Sequence, residues 1–144
     1  MRQAYLDLIE KQQKELEEFP IAYAFNQEQL EEALVKLGAN DISECVTIAG
    51  HGDIIKKTDV KAFNTMLKRH KEEIYEALKN EEFAEAAFLY EMNNHEYAIN
   101  WDGDADVLSC FCLNEKMLVD MGLERAYLRA RKRHMEYARE WELI

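Results

Sequence analysis

The segment from Glu82 to about Ala98 is apolar on nearly every side of a helix. Its apolar residues are Phe83, Ala84, Ala86, Ala87, Phe88, Leu89, Tyr90 and Met92. A helix with one apolar stripe packs at a surface, whereas a helix that is apolar nearly all round must be covered by other elements. The sequence therefore predicts a central, largely buried helix around which the rest of the fold is arranged.

Four other segments repeat apolar residues at intervals of three and four, which is the spacing of amphipathic helices. Pro20 ends the first of them and Gly38 closes the second. These helices are predicted over about residues 4–19, 27–37, 58–79 and 114–144. In the third helix the expected inward positions are Val60, Phe63, Leu67, His70, Ile74 and Leu78. A further short helix can begin at residues 102–106, where Asp104 or Asp106 would cap its N-terminus.

Two runs of strand-forming residues flank Gly50-His51-Gly52, and glycine supplies the positive φ angles that a tight reversal needs. The sequence predicts a β-hairpin over residues 45–57. Residues 21–25 alternate large side chains with alanine, so they predict one more strand. The predicted fold is α+β and mostly helical, with about five or six helices packed with a small antiparallel sheet. Residues 1–144 are expected to form a single compact α+β domain, because no linker or repeat interrupts them.

The charge balance excludes some classes of partner. The chain has 18 Lys and Arg residues against 29 Asp and Glu residues, which gives a net charge of −11. Binding to phosphates needs a surplus of basic residues, so direct nucleic-acid binding and anionic membranes are disfavoured. No stretch approaches the length of uncharged residues that a membrane span requires. Three cysteines without a framework spacing suit reduced thiols, so a cytoplasmic protein without disulfides is expected.

Residues 80–108 contain eight acidic residues and no Lys or Arg. One interpretation is an acidic face that a basic stripe on the last helix partly neutralises. That stripe consists of Arg125, Arg129, Lys132, Arg133 and Arg139. The other interpretation is a docking surface for a basic protein partner. Its candidate residues are Glu81, Glu82, Glu85, Asp104 and Asp106.

A polar group lies where the central helix leaves its apolar stretch. Glu91 and His95 are four residues apart and so share one helix face. With His70 from the preceding helix they would supply two imidazoles and a carboxylate, which zinc or iron accepts. Asn94 and Asp102 are further candidates for this polar or metal site. The alternative is a buried hydrogen-bond network in which His70, Asn94, His95 and Tyr97 satisfy one another.

No enzyme class is positively indicated. The sequence contains no Gly-x-Ser-x-Gly, His-Glu-x-x-His or dinucleotide-binding fingerprint. Cys110-Phe111-Cys112 has a gap too short for the usual zinc knuckle, and no second cysteine pair accompanies it. No cofactor is therefore expected, and a divalent metal is kept only as the alternative at the polar site.

Three segments match one known group of proteins in their residues, their order and their spacing. They are Phe19–Asn26; Lys56–Asp59 with Ala62-Phe63 and Arg69-His70; and Phe88–Glu91 with Asn94–Tyr97. These segments resemble an uncharacterised family of small proteins encoded by gut anaerobic bacteria, their phages and other mobile elements. The resemblance implies a mobile-element accessory protein without a known activity, and it nominates His70 and His95 among the four histidines.

Two hypotheses of function follow. The first is a non-enzymatic accessory protein of a phage or mobile element that binds a basic protein through its acidic surface. The alternative is a small metal-binding domain or metal-dependent enzyme built on His70, Glu91 and His95. A homodimer through the last helix is compatible with either hypothesis. The apolar strip available for it consists of Leu123, Tyr127, Ala130, His134 and Trp141.

Overall fold

A computed structural model describes all residues of the chain, 1–144. Seven α-helices and the short 3-10 turns together hold 69% of the residues and lie beside a three-stranded antiparallel sheet, so the predicted α+β, mostly helical fold is confirmed. The helices are α1 (Arg2–Glu18), α2 (Gln27–Leu37), α3 (Val60–Leu78), α4 (Glu81–Asn94), α5 (Gly103–Ser109), α6 (Glu115–Asp120) and α7 (Glu124–Glu140). The strands are β1 (Ala22–Tyr23), β2 (Cys45–Val46) and β3 (Asp53–Lys56). Short 3-10 turns cover Ile42–Glu44, Lys57–Asp59 and Tyr97–Ile99.

The chain divides into two compact units. The helical unit comprises residues 1–10 and 70–144, and the sheet unit comprises residues 11–69. The boundaries between the units fall inside α1 and α3. The expectation of a single domain stays a prediction. None of the helices combines the length and the apolar character that crossing a membrane would require.

The core of the helical unit is built on α4, as the sequence predicts. Phe88 of α4 is fully buried and makes edge-to-face contacts with Phe111 and Tyr127, at ring-centroid distances of 5.0 and 5.2 Å. Helix α4 packs against α7, and its small residues Ala84 and Ala87 are fully buried in the same core. Aromatic rings in edge-to-face pairs add to the free energy gained by apolar burial.

The prediction of one continuous last helix is wrong. Residues 114–144 form α6 and α7, which Gly122 separates with a positive φ of 70°. At this break the Gly122 N–H donates to Val119 O and the Leu123 N–H donates to Leu118 O. Such bonds satisfy the last carbonyls of a helix and stop it, although the apolar spacing continues past the break. Trp141 lies beyond α7 and is 65% exposed, so it does not extend the buried stripe.

In the sheet unit the strand order is β1-β3-β2, with both pairs antiparallel. Ala22 of β1 pairs with Ile54 of β3, and Cys45 of β2 pairs with Lys56. The predicted hairpin is present, but its first strand ends at Val46. Two small cores cover the sheet. One holds Ala22, Ala33, Leu37, Cys45 and Ile54, and the other holds Ile55, Phe63 and Met66.

The side chain of Asp53 explains why β2 is short. Its carboxylate accepts the N–H groups of Ile48 at 2.7 Å, Ala49 at 2.9 Å and His51 at 3.1 Å. Because Asp53 takes these donors, Ile48 and Ala49 cannot use them in a strand ladder. These hydrogen bonds lower the pKa of the Asp53 carboxyl group below its ordinary 3.8, and the bond from Ala49 has the largest effect. Burial acts in the opposite direction and raises the pKa, but by less.

Gly52 closes the same turn. Its φ is 81°, and a Cβ atom here would lie 2.6 Å from Cε1 of Phe25. Only glycine fits both the backbone conformation and the close approach of the ring.

On α3 one predicted inward position is wrong. Leu67 is 42% exposed, and its neighbour Met66 is buried instead.

Candidate functional site

Three side chains that can bind a metal converge at the end of α4. His95 Nε2 lies 3.3 Å from Glu91 Oε2 and 3.3 Å from Cys110 Sγ. All three donor atoms lie within 4.8 Å of one another. Glu91 is buried, whereas His95 and Cys110 are partly exposed, so the group reaches from the core towards solvent.

Two helix ends position these side chains. Glu91 lies in the last turn of α4, and His95 is its C-terminal cap, whose N–H donates to Glu91 O. Cys110 is the C-terminal cap of α5, and its N–H bonds back to Val107 O. The spacing of four residues puts Glu91 and His95 on one helix face, while the fold brings Cys110 to them from 15 residues further along the chain.

Tyr5 supports Glu91 from α1. The Tyr5 hydroxyl is buried and donates to Glu91 Oε1 at 3.2 Å. Burial and the Glu91 carboxylate raise the pKa of Tyr5, so the phenol keeps its proton and remains a donor. This bond occupies one carboxylate oxygen and leaves Glu91 Oε2 directed towards His95.

Cys110 carries a thiol that holds its proton tightly. Burial, followed by the neighbouring Glu91 carboxylate, raises the pKa of this thiol to about 12. The thiol donates to Asp106 O at 3.3 Å. A protonated thiol is a poor nucleophile, but a metal cation can displace the proton and bind the thiolate.

The other predicted members of the polar site lie elsewhere. His70 is buried with its ring nitrogen within 4.8 Å of a Glu73 carboxylate oxygen, and it does not belong to the group around Glu91. Asn94 is exposed at the last position of α4. Asp102 is exposed at the start of α5, where its side chain makes no capping bond. The structure therefore joins Glu91 and His95 and completes the group with Cys110.

The predicted acidic docking residues of α4 mostly face arginines of α7. Glu81 lies 3.3 Å from Arg125 and 3.4 Å from Arg129. Glu85 lies 3.2 Å from Arg133. Glu82 is exposed. These ion pairs agree with the interpretation in which the basic stripe partly neutralises the acidic face.

The predicted acidic residues of α5 are also engaged within the helical unit. Asp104 Oδ1 accepts hydrogen bonds from the hydroxyls of Tyr97 at 2.7 Å and Tyr127 at 2.5 Å. Asp106 Oδ2 accepts from the Asn100 amide at 2.8 Å. The expectation that either residue caps α5 is wrong, because both lie inside its first turn. Their side chains instead tie α5 to neighbouring segments.

Sequence reasoning missed Cys110 and Tyr5 at this site. In the sequence Cys110 and Cys112 stand out as a pair of cysteines. Only Cys110 joins the group, and Cys112 is exposed. Tyr5 is 86 positions away from Glu91, and no local pattern marks it as a partner. A buried tyrosine needs an acceptor for its hydroxyl, which is the only signal that the sequence carried.

A model of a family of unknown function (DUF7659) matches residues 4–133. The chain belongs to this family. Membership in DUF7659 confirms the prediction of an uncharacterised family, while an origin in gut bacteria or phages stays a prediction. No curated protein and no solved structure matches the chain. The matched range of DUF7659 contains Tyr5, Glu91, His95 and Cys110, so the whole candidate site lies within the family domain.

Proposed function

We propose that this protein binds a divalent transition-metal ion, with zinc preferred, through Glu91, His95 and Cys110. The observation that carries the proposal is the convergence of three different donor atoms from two helix ends. A metal would be held by one oxygen, one nitrogen and one sulfur. The predicted site of His70, Glu91 and His95 is thereby revised, since Cys110 takes the place proposed for His70.

The distances suit a tetrahedral ion. Zinc bonds of about 2.0 Å to nitrogen or oxygen and about 2.3 Å to sulfur place neighbouring ligand atoms roughly 3.3–3.6 Å apart. Both distances from His95 Nε2, to Glu91 Oε2 and to Cys110 Sγ, are 3.3 Å. These two pairs need little movement to hold an ion, and the ligand atoms of Glu91 and Cys110 lie within 4.8 Å of each other.

The donor set also favours zinc over hard cations. Calcium and magnesium select oxygen ligands, whereas a thiolate with an imidazole suits zinc and its neighbours in the periodic table. Tyr5 acts on the Glu91 oxygen that faces away from His95, as an outer-shell partner of a metal ligand usually does. The charges support the same choice, because the two negative charges of a buried carboxylate and a thiolate balance the two positive charges of a divalent cation.

The competing hypothesis, a basic protein partner bound through the acidic surface, has less support. Glu81 and Glu85 already pair with arginines of α7, and Asp104 and Asp106 accept hydrogen bonds within the helical unit. Glu82 is the exposed member of that set without such a contact in the structure. A role as a phage or mobile-element accessory protein stays a prediction.

Metal titration tests the proposal. The reduced protein, stripped with a chelator, is titrated with zinc by calorimetry and with cobalt by absorption spectroscopy. We expect one ion per chain, a thiolate-to-cobalt charge-transfer band, and zinc displacement of the cobalt. Replacing Cys110→Ser or His95→Gln should weaken zinc binding by more than about 100-fold, because even outer-shell changes cost about 10- to 100-fold.

Matched controls are present in the same chain. Cys112 and His51 are exposed and lie outside the group, so Cys112→Ser and His51→Gln should bind zinc like the wild type. Circular dichroism checks that each variant is folded. Equal zinc affinity in wild type and Cys110→Ser, or loss of affinity in Cys112→Ser instead, would overturn the proposal.

A further inference from the structure

The sheet unit contains a pocket of about 450 Å³ that the metal proposal does not use. Its wall consists of the C-terminal half of α1, residues on both sides of Ala22 in β1, Lys36 of α2, the turn between β2 and β3, and Phe63 of α3. We propose that this pocket binds a small organic anion, a ring-bearing carboxylate, with its ring on the apolar floor and its carboxylate at Lys36. The volume lies in the range of small-molecule sites, which is about 300–1,000 Å³.

The floor of the pocket is apolar and partly aromatic. Phe19 and Phe63 pack edge to face with ring centroids 5.3 Å apart. Leu16 and Ile21 lie beside them and pack against the same small core. Phe19, Leu16 and Ile21 are only partly buried, so they keep apolar surface available within the pocket. A planar ring placed here gains apolar burial and further edge-to-face contacts.

The rim of the pocket holds a positioned cation. Lys36 Nζ donates to Ile21 O at 3.2 Å, and this bond places the ammonium group at the pocket. An ammonium group has three N–H donors, so two remain for a ligand. His51 lines the same rim from the turn and is exposed. Hydrogen bonds between a charged donor and a carboxylate are stronger than those between neutral groups.

Two acidic residues, Glu17 and Asp53, also line the pocket, so the preference for an anion rests on direct contact with Lys36 and not on the net charge of the lining. Asp53 already accepts three backbone N–H groups, with bonds to both carboxylate oxygens. Glu17 is exposed along α1, where the Gln13 amide donates to its Oε1 at 3.2 Å. Lys36 therefore offers charged donors at the pocket, while Asp53 has its acceptors engaged by the turn.

Three probes with one ring system separate the charge classes. Indole-3-acetate is an anion, tryptophan is a zwitterion and tryptamine is a cation, and all carry the same indole ring. Each is titrated into the isotope-labelled full-length protein, and amide chemical shifts are followed by NMR. We expect indole-3-acetate to bind most tightly and to shift the amides of Ile48, Ala49 and Phe63. Equal or tighter binding of tryptamine or tryptophan would overturn the proposed ligand class, and absence of shifts with all three would overturn the site.

Variants of Lys36 test the role of the cation. Lys36→Gln keeps a donor for Ile21 O but loses the charge, so binding of indole-3-acetate should weaken about tenfold, as expected for a hydrogen bond to a charged group. Lys36→Arg should retain most of the affinity. Lys57→Gln removes an exposed lysine of the same unit that does not line this pocket, and it should leave binding unchanged. If Lys36→Gln binds like the wild type, or Lys36→Arg fails to bind while folded, the assignment to Lys36 is wrong.

Discussion

The helical unit and the sheet unit reach a defined structure by different physical means. In the helical unit, long helices bury a continuous apolar core around Phe88, Phe111 and Tyr127. In the sheet unit, strands of two to four residues carry two small cores, and one carboxylate organises the turn between β2 and β3. The first unit relies mainly on apolar burial, whereas the second relies more on satisfied backbone donors.

This difference predicts which substitutions each unit tolerates. A large apolar core is sensitive to lost volume, since its surroundings collapse only partly around a cavity. A unit with a small core and a side-chain-capped turn is sensitive to single polar residues whose loss removes several backbone hydrogen bonds at once. The following changes test this comparison, from the largest expected effect to the smallest.

Phe88→Ala should destabilise the helical unit by about 3–5 kcal/mol, the usual cost of removing a buried phenylalanine side chain. Phe88 is fully buried between two aromatic rings, so its loss leaves a cavity. Hydrogen exchange of the α4 and α7 amides, together with urea denaturation, measures the change. Leu128→Ala is the matched control on a half-exposed position, with an expected effect within about 0.5 kcal/mol. A loss below about 1 kcal/mol for Phe88→Ala would contradict a core built on this ring.

Asp53→Ala should destabilise the sheet unit by about 2–3 kcal/mol, since it strips the acceptor from three backbone N–H groups. Asp53→Asn keeps one acceptor oxygen and should cost less. Faster hydrogen exchange at Ile48, Ala49 and the β3 amides is the expected signature. Unchanged exchange at these amides would show that the turn holds without the carboxylate.

The same carboxylate predicts an acid-dependent stability. Because the folded pKa of Asp53 lies below its ordinary 3.8, the charged form stabilises the sheet unit above that pH. This contribution is lost as the pH falls through the folded pKa. Asp53→Asn should therefore show a flatter loss of stability in acid than the wild type does, measured by hydrogen exchange between pH 5 and pH 2.

The stability of the helical unit also falls with decreasing pH, because of His134. This loss occurs at a higher pH than the loss due to Asp53. The Nδ1–H of His134 donates to Asn93 Oδ1 at 2.7 Å, and its Nε2 accepts the Ala98 N–H at 3.0 Å, so the fold requires the neutral ring. Burial lowers the pKa of His134 below its ordinary 6.5. The stabilisation is complete above pH 6.5 and declines as the pH falls to the folded pKa, by about 1.4 kcal/mol for each unit of lowering.

An NMR titration of the histidine rings, with unfolding measured between pH 7.5 and pH 5, checks this expectation. His134→Gln should reduce the dependence on pH, whereas His51→Gln changes an exposed ring and should leave it as in the wild type. A His134 ring that titrates at or above 6.5 would contradict the bonding pattern described here.

Glu81→Gln should have the smallest effect, at most about 1 kcal/mol, because its bonds to Arg125 and Arg129 join half-exposed or exposed side chains. Added salt should reduce even this difference. Thermal denaturation at low and high ionic strength measures it. A large, salt-independent loss would mean that the α4–α7 ion pairs matter as much as the apolar core.

Much of the fold follows from local patterns. The period of apolar residues predicts α1 to α3, the run that is apolar nearly all round predicts α4, and Pro20 and Gly38 mark helix ends. The break at Gly122 was missed because the apolar spacing continues across it, so that only the backbone conformation of one residue divides α6 from α7. The predicted β2 was too long. The sequence around Ile48 and Ala49 is typical of a strand, but the backbone N–H groups of these two residues donate to the Asp53 carboxylate and not to a neighbouring strand.

Of the candidate site, the sequence determined the pair Glu91 and His95, because a spacing of four on a helix fixes two side chains on one face. It also determined that α4 is the central helix and that the acidic face has a basic counterpart on α7. Only the tertiary structure decided that Cys110 and Tyr5 join the pair and that His70 lies elsewhere. The reason is physical: helix periodicity orders residues within a few turns, but contacts across 15 or 86 positions depend on how the buried faces of separate helices pack.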